Sequence, residues 1–128
     1  MKKKLVAMLV ALALWGGCRP SKPAPDDPAI WQKVKIDFRR FDENGLTGPP
    51  NGKVAAHYEF CIPASEEAWR AVQKIDPTAQ KNAGRGRAGC GKGEQLVIGT
   101  TQQKNYRRVL YELARLGFVR EIQQTFWE

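Results

Sequence analysis

The chain has 128 residues, and its 21 lysines and arginines against 13 aspartates and glutamates give a formal charge of +8 at pH 7. A chain of this length buries one modest core, which excludes a second globular domain. The basic excess suits a nucleic acid, anionic lipid or acidic polymer as a partner, and it also serves simple solubility.

The first eighteen residues carry the sharpest pattern in the chain. Met1 to Lys4 is a short cationic start, Leu5 to Trp15 is an uncharged apolar run, and two glycines precede Cys18. This order predicts a secretory signal peptide over residues 1–17. The apolar run has eleven residues, and a spanning helix needs about twenty, so we predict no transmembrane segment.

Trp15-Gly16-Gly17-Cys18 resembles the lipobox of bacterial lipoprotein precursors, with tryptophan where leucine is common. The resemblance implies that Cys18 carries lipid (palmitate among its acyl chains) and anchors the protein in the cell envelope. Cleavage after Ala11-Leu12-Ala13 is the alternative and would give a soluble secreted protein. The odd count of three cysteines favours the lipoprotein, because lipid on Cys18 leaves Cys61 and Cys90 as a pair.

A proline-rich segment follows Cys18 and predicts a spacer. Arg19 to Ala29 holds four of the eight prolines and few apolar side chains, which is typical of extended polyproline II structure. We therefore predict a tether over residues 18–29 and a single domain over residues 30–128.

In lipoproteins of this kind an aspartate after the lipidated cysteine suggests inner-membrane retention, so Arg19 favours the periplasmic side of an outer membrane, if the organism has one. Removing residues 1–17 takes away three lysines and no acids, which leaves 18 basic and 13 acidic residues and a formal charge of +5.

The domain begins with two predicted strands and a helix. Apolar and polar residues alternate over 34–39, which indicates a half-buried strand. A loop over Asp42–Lys53 leads to a second strand over Val54–Ile62, and we expect the two strands to pair as an antiparallel hairpin. Ser65 is suited to cap a helix that ends at Asp76-Pro77.

The second half of the domain predicts a glycine-rich basic loop over Lys81–Gly93 and a short buried strand at Leu96-Val97-Ile98. Apolar residues at helical spacing predict a helix over 106–116, and Val119–Trp127 indicates a last strand. The predicted order is β-β-α-β-α-β. We expect an α+β two-layer sandwich with a four-stranded mixed sheet and two helices on one face, which resembles the ferredoxin-like class.

Cys61 and Cys90 predict a structural disulfide, because an exported protein meets an oxidising compartment. A metal or redox pair is the alternative, but Cys-x-x-Cys spacing is absent and His57, the sole histidine, does not complete a usual zinc set. His57 and Cys61 lie about 13 Å apart along the predicted strand, too far for a nucleophile and its base. We therefore predict neither a metal site nor a catalytic pair here.

Two nucleotide-like strings in the glycine-rich loop lack the context that nucleotide binding requires. Residues 84–89 match Gly-x-Gly-x-x-Gly, but they follow a helix and precede a strand, the reverse of the dinucleotide-binding order. Residues 86–92 imitate a P-loop, but Gly93 stands where Ser or Thr would bind magnesium. We predict that the protein uses no cofactor.

The same loop offers a candidate anion-binding nest. Arg85, Arg87 and Lys92 stand among glycines whose N–H groups are suited to a carboxylate or phosphate. The alternative is a loop pinned by the disulfide, in which Arg87 forms an ion pair with Glu59. The ion pair depends on the predicted disulfide, which would bring the loop to the second strand.

The sequence therefore favours a lipid-anchored envelope protein whose domain binds an envelope protein or an anionic polymer and performs no catalysis. Nucleic acid is not an expected partner of an exported protein. The alternative is a small exported enzyme or anion-binding module that uses the basic loop at residues 84–93 together with Glu59 and His57.

Overall fold

The structure of the protein is a computed structural model that describes residues 25–126. The predicted signal peptide, the lipidation site Cys18 and most of the tether lie outside these residues, so the expectations about them stay predictions. Across residues 25–126, no helix is both long enough and apolar enough to cross a membrane.

Three helices and seven strands make up the described residues, which confirms the α+β class. The helices are α1 (Pro28–Trp31), α2 (Glu66–Ile75) and α3 (Tyr106–Arg115). The strands are β1 (Val34–Lys35), β2 (Leu46–Thr47), β3 (Val54–Ala55), β4 (His57–Pro63), β5 (Gln80–Asn82), β6 (Glu94–Thr100) and β7 (Ile122–Thr125).

One mixed sheet contains five of the strands in the order β1-β7-β4-β6-β5, and β2 pairs with β3 in a separate antiparallel pair. In the five-stranded sheet, β1 is parallel to β7 and every other neighbouring pair is antiparallel. From β4 to β7 the elements run β-α-β-β-α-β, and each helix joins two parallel strands that flank an antiparallel one. The prediction of a mixed sheet is confirmed. Its number of strands was predicted as four and is five, and the described residues form three helices rather than the predicted two.

The predicted hairpin between the first two strands is wrong. The first strand covers only Val34–Lys35 and lies at the sheet edge beside β7, while the neighbours of β4 are β6 and β7. The strand stops because the Asp37 carboxylate accepts a hydrogen bond from the Arg39 N–H at 3.1 Å and caps a single 3-10 turn over Phe38–Arg40. Local turn chemistry therefore overrides the alternating pattern.

The strand β5 lies inside the segment that we predicted to be a loop. Its residues Gln80–Asn82 pair antiparallel with β6, and all three are exposed. An exposed polar edge strand carries no apolar alternation, which explains why the pattern gave no indication of it. The predicted strand at 96–98 is confirmed as the middle of β6.

The main hydrophobic core lies between the sheet and the two long helices. Tyr58, Phe60 and Ile62 of β4 point into it and are at most 1% exposed. The predicted helix at 66–75 is confirmed, and Ser65 caps it by accepting a hydrogen bond from the Ala68 N–H at 3.1 Å. Other buried members of the core are Val72, Val97, Leu110, Leu113 and Ile122. Because side chains alternate along a strand, the remaining residues of β4 face the opposite, helix-free side of the sheet.

A buried polar network closes the core at the end of α2. Asp76 is 1% exposed and accepts hydrogen bonds from the Tyr58 hydroxyl at 2.5 Å and from the N–H and hydroxyl of Thr78 at 2.9 and 2.7 Å. The Gln103 amide donates to the Tyr58 oxygen at 3.0 Å and to Asp76 at 3.2 Å. Burial, and then the negative charge of Asp76, raise the pKa of Tyr58 far above its ordinary value.

We expect the free energy of unfolding to fall as the pH rises above about 10, because Tyr58 ionises there in the unfolded chain but stays protonated in the fold. The contribution is complete below the unfolded pKa and is lost as the pH rises toward the folded pKa, with a slope of up to about 1.4 kcal/mol per pH unit. Urea denaturation at a series of alkaline pH values measures this slope.

Tyr58→Phe should remove this part of the pH dependence while lowering stability at neutral pH. Tyr111→Phe alters a tyrosine outside the network and should keep the slope. An identical alkaline slope for Tyr58→Phe and the wild type would contradict the assignment.

Candidate functional site

The glycine-rich segment 83–93, which we call the basic loop, covers part of the helix-free face of the sheet. The predicted disulfide is confirmed: Cys61 of β4 is bonded to Cys90 of the loop, with 5.4 Å between their Cα atoms. Both cysteines are buried and pack against Leu96, with Ala88 and Ile98 beside them. This small second hydrophobic cluster holds the loop on the sheet.

Glu59 forms a second connection between the basic loop and the sheet. This carboxylate is 2% exposed, and its Oε2 accepts a hydrogen bond from the Ala88 N–H at 2.9 Å. Its Oε1 accepts from the Thr125 hydroxyl at 2.9 Å, so one side chain of β4 connects the loop with β7. Within the loop, the Arg85 Nε donates to the carbonyl oxygen of Cys90 at 2.9 Å.

Two glycines of the basic loop share a backbone conformation but differ in their surroundings. Gly86 has a φ of +63° and Gly89 a φ of +66°, both in the left-handed region that favours glycine. A Cβ on Gly86 would lie 2.1 Å from the Oε2 of Glu59 and 2.9 Å from the Leu96 side chain, whereas a Cβ on Gly89 would meet nothing within 4 Å. Close contact with Glu59 therefore requires glycine at position 86.

We expect Gly89→Ala to cost about 1–2 kcal/mol of stability, because alanine is disfavoured at positive φ. Gly86→Ala should cost about 1–3 kcal/mol more, because its Cβ must displace the Glu59 carboxylate or the loop. Urea denaturation of the two variants isolates the steric effect, since the backbone cost is matched. Equal losses of stability would show that Glu59 does not fix the loop at this point.

A groove of about 530 Å³ opens between the basic loop and the end of β7. Leu96 and Ile98 of β6 contribute apolar lining, and Arg87 and Phe126 are also among its lining residues. The guanidinium of Arg87 lies over the Phe126 ring at 5.4 Å from its centroid, and Phe126 is 55% exposed. We call this feature the loop groove.

A second groove of about 240 Å³ adjoins the loop groove. The two share Asn82 and Ile98, and the smaller one extends to His57 and Thr100. The depression therefore crosses the helix-free face of the sheet from β7 to the edge strand β5. His57 and Glu59 share this face, as the alternation along β4 predicts.

The three cations predicted for the anion nest occupy different settings, although all three are exposed. Arg85 bonds back to the loop backbone, Arg87 borders the loop groove, and Lys92 lies in the turn before β6. Gly86 brings the backbone next to Arg87 against Glu59. The anion nest and the ion pair between Glu59 and Arg87 both stay predictions.

Sequence reasoning missed the contacts of Glu59 with Thr125 and Ala88, and the part that Phe126 takes in the groove. The sequence carried no signal for the Glu59 contacts, because Glu59 lies on the face of β4 opposite Tyr58, Phe60 and Ile62, where an acid is ordinarily solvated. Within the part of the chain that the structure describes, no three His, Cys, Asp or Glu side chains are grouped to hold a metal ion.

Comparisons of the chain with models of protein families, with curated proteins and with solved structures found no match. The function is therefore argued from the residues of this chain alone.

Proposed function

We propose that the protein is a lipid-anchored component of the cell envelope whose domain binds an anionic envelope partner, a protein or a polymer, at the loop groove without catalysing a reaction. The N-terminal pattern supports the anchor through Cys18 on the periplasmic side of an outer membrane, and an oxidising compartment suits the disulfide. The unit from β4 to β7 has the connectivity of ferredoxin-like domains. That connectivity serves many functions, so the site has to carry the argument.

The set of contacts that hold the basic loop on the sheet is the observation that carries this proposal. Glycine loses more conformational freedom on ordering than any other residue, so a glycine-rich loop is costly to fix in one shape. Here the disulfide, the bond from Ala88 to Glu59 and the bond from Arg85 to the loop backbone fix it. A loop that is ordered before binding spares the complex that entropy cost, which is how preorganised sites gain affinity.

The chemistry of the loop groove indicates the class of partner. Arg87 is of a residue type that often dominates binding energy at interfaces, and exposed phenylalanine rings such as that of Phe126 are enriched there. Arg85 and Lys92 add exposed positive charge to the same loop. A carboxylate-bearing or phosphate-bearing partner complements this set, since a guanidinium binds such groups through two parallel hydrogen bonds.

The alternative of a small exported enzyme would use Glu59 and His57 as its acid and base. Both oxygens of Glu59 already accept hydrogen bonds from Ala88 and Thr125, and the side chain is 2% exposed. These contacts give Glu59 a positioning role in the loop, and they favour the binding proposal over an acid–base role for this side chain.

Poly-L-glutamate is a suitable anionic probe for the loop groove. We expect the chain from residue 18 with Cys18→Ser to bind it, and Arg87→Gln to weaken binding about 10- to 100-fold, since one charged hydrogen bond contributes about 1.5–3 kcal/mol. Arg115→Gln on α3 makes the same change in charge and should have an effect of less than about threefold. Fluorescence anisotropy of the labelled polymer measures affinity, and thermal unfolding confirms that each variant is folded. Equal weakening by both variants would contradict a site at the groove.

Metabolic labelling with palmitate tests the anchor separately. We expect the full-length chain to incorporate the label, and globomycin to block maturation, since that compound inhibits the lipoprotein signal peptidase. Cys18→Ala should abolish the label, whereas Cys90→Ala should keep it. A labelled Cys18→Ala protein, or an unlabelled wild type, would exclude lipidation at Cys18 and favour the soluble secreted alternative.

A further inference from the structure

The end of the predicted tether is fixed against α3. The Asp27 N–H donates to the Tyr111 hydroxyl at 2.8 Å. The carboxylate of Asp26 accepts from the Arg108 guanidinium at 2.7 Å and from the indole N–H of Trp31 at 3.0 Å. The tether therefore leaves the domain at Asp26, beside the first turns of α3, and we call this point the tether exit.

Aromatic side chains continue from the tether exit to Arg107. The Trp31 ring contacts Phe38 with 5.5 Å between centroids, and Phe38 in turn lies 6.2 Å from Tyr106. The guanidinium of Arg107 lies over the Phe38 and Tyr106 rings at 5.3 and 5.6 Å, and its Nε donates to the Tyr106 hydroxyl at 3.0 Å. Stacking on two rings fixes this cation next to the exit.

Three exposed cations lie in the chain segments next to these aromatic side chains and form no ion pair within 4 Å among the described residues. They are Arg40, Lys104 and Arg107. Arg40 follows Phe38 in the same 3-10 turn, and Lys104 directly precedes the N-cap residue of α3. We call these three residues together with Trp31 the exit surface.

A cleft of about 440 Å³ opens within the exit surface, and Trp31, Tyr106 and Arg107 line it. Its acids are Asp26, which Arg108 neutralises, and the exposed Glu43. The exposed Asp27 beside the cleft caps α1, so the three cations outnumber the two carboxylates that form no ion pair within residues 25–126, Asp27 and Glu43, and the local charge balance is positive.

We propose that the exit surface docks on a bilayer that contains anionic phospholipid. Positive charge complements such a surface, and each lysine or arginine near it strengthens partitioning roughly fivefold. Tryptophan is enriched at the level of the lipid headgroups. This inference rests on the proposed lipid anchor and names the side of the domain that faces the membrane.

The length of the tether is consistent with this orientation. Seven residues separate Cys18 from Asp26, so a fully extended chain reaches about 30 Å at most. Lipid on Cys18 therefore keeps the exit surface close to the headgroups. Because α3 and the basic loop lie on opposite faces of the sheet, docking through the exit surface leaves the loop groove directed away from the bilayer.

Vesicle partitioning of the unlipidated chain tests the exit surface directly. The chain begins at residue 18 with Cys18→Ser, because residues 1–17 are the predicted signal peptide. We expect it to co-sediment at low salt with vesicles of phosphatidylglycerol and phosphatidylcholine, and much less with phosphatidylcholine alone. The triple variant Arg40→Gln, Lys104→Gln, Arg107→Gln should lower the partition coefficient roughly 100-fold.

A triple variant with the same change in net charge is the matched control. It neutralises Arg70, Lys74 and Arg120; the first two lie on α2, and the third pairs with Glu94 at the start of β6. We expect it to weaken partitioning by less than about fivefold. Circular dichroism confirms that both variants fold, and a wild-type partition coefficient that falls steeply with added salt supports the charge mechanism.

Three results would overturn the docking surface: equal weakening by the two triple variants, equal binding to neutral vesicles, or loss of vesicle binding in the presence of soluble glycerol phosphate at the same phosphate concentration as the lipid. The last would indicate a small-anion pocket. The tested chain carries no lipid, so such a failure would not contradict the lipid anchor, which the palmitate experiment tests. It would not contradict the loop groove either, which the Arg87→Gln measurement tests.

Discussion

Replacing Asp76 with alanine is expected to lower the free energy of unfolding by about 3–5 kcal/mol. The carboxylate is 1% exposed and accepts hydrogen bonds from the Tyr58 hydroxyl and from two donors of Thr78. Alanine leaves these donors buried without an acceptor, and each such group costs about 1–3 kcal/mol. Urea denaturation at neutral pH measures the loss.

Glu66→Ala provides a control that removes an acid from the surface. Glu66 is 68% exposed at the start of α2, and its ion pair with Arg70 has a distance of 3.9 Å. Exposed pairs of this kind contribute little, so we expect a change within about 0.5 kcal/mol. Asp76→Asn keeps one acceptor oxygen, so its loss of stability should lie between those of Asp76→Ala and Glu66→Ala. A loss below about 1 kcal/mol for Asp76→Ala would show that water replaces the carboxylate.

The parts of the fold that the sequence predicted are those where burial repeats at a regular period. Along β4 every second residue is apolar, and the structure buries that face against the helices. For α2, a capping serine and an apolar stripe agree, and Ser65 caps the helix as expected. Local propensity and burial indicate the same element in both cases, which is why the pattern was sufficient.

The pairing of the strands could not be read from the sequence in the same way. The strands β1 and β7 meet in parallel although most of the domain separates them, and no local residue marks that contact. The edge strand β5 is exposed and polar throughout, so it looks like a loop. Pairing of this kind depends on the packing of the whole domain rather than on local preference.

The candidate site also contains one feature that the sequence predicted and one that it did not. The disulfide could be predicted because the cysteines are few and the compartment restricts their chemistry. The groove could not, since it exists only where the basic loop, Glu59 and the end of β7 come together. Glu59 bonds to residues 29 and 66 positions away in the chain, a distance at which neither spacing nor alternation gives information.

Removal of the disulfide should also lower the free energy of unfolding by a large amount, comparable to the loss expected for Asp76→Ala. The bond closes a loop over a sequence separation of 29 residues, which contributes about 3–4 kcal/mol in the chain-entropy model. We expect the variant with both Cys61→Ala and Cys90→Ala to lose this amount in urea denaturation. The wild type in reductant should lose a similar amount, and counting thiols on the denatured, unreduced protein should find none from Cys61 and Cys90.

Affinity separates two roles of the disulfide, because stability alone does not show whether the bond also shapes the groove. If the bond fixes the basic loop, removing it should weaken poly-L-glutamate binding at temperatures where the variant is still folded. Adding Glu59→Ala removes the second connection, and the two losses of affinity should then be non-additive, since both act on one loop. Unchanged affinity without the bond would show that Glu59 alone positions Arg87, and it would reduce the disulfide to a stabilising link.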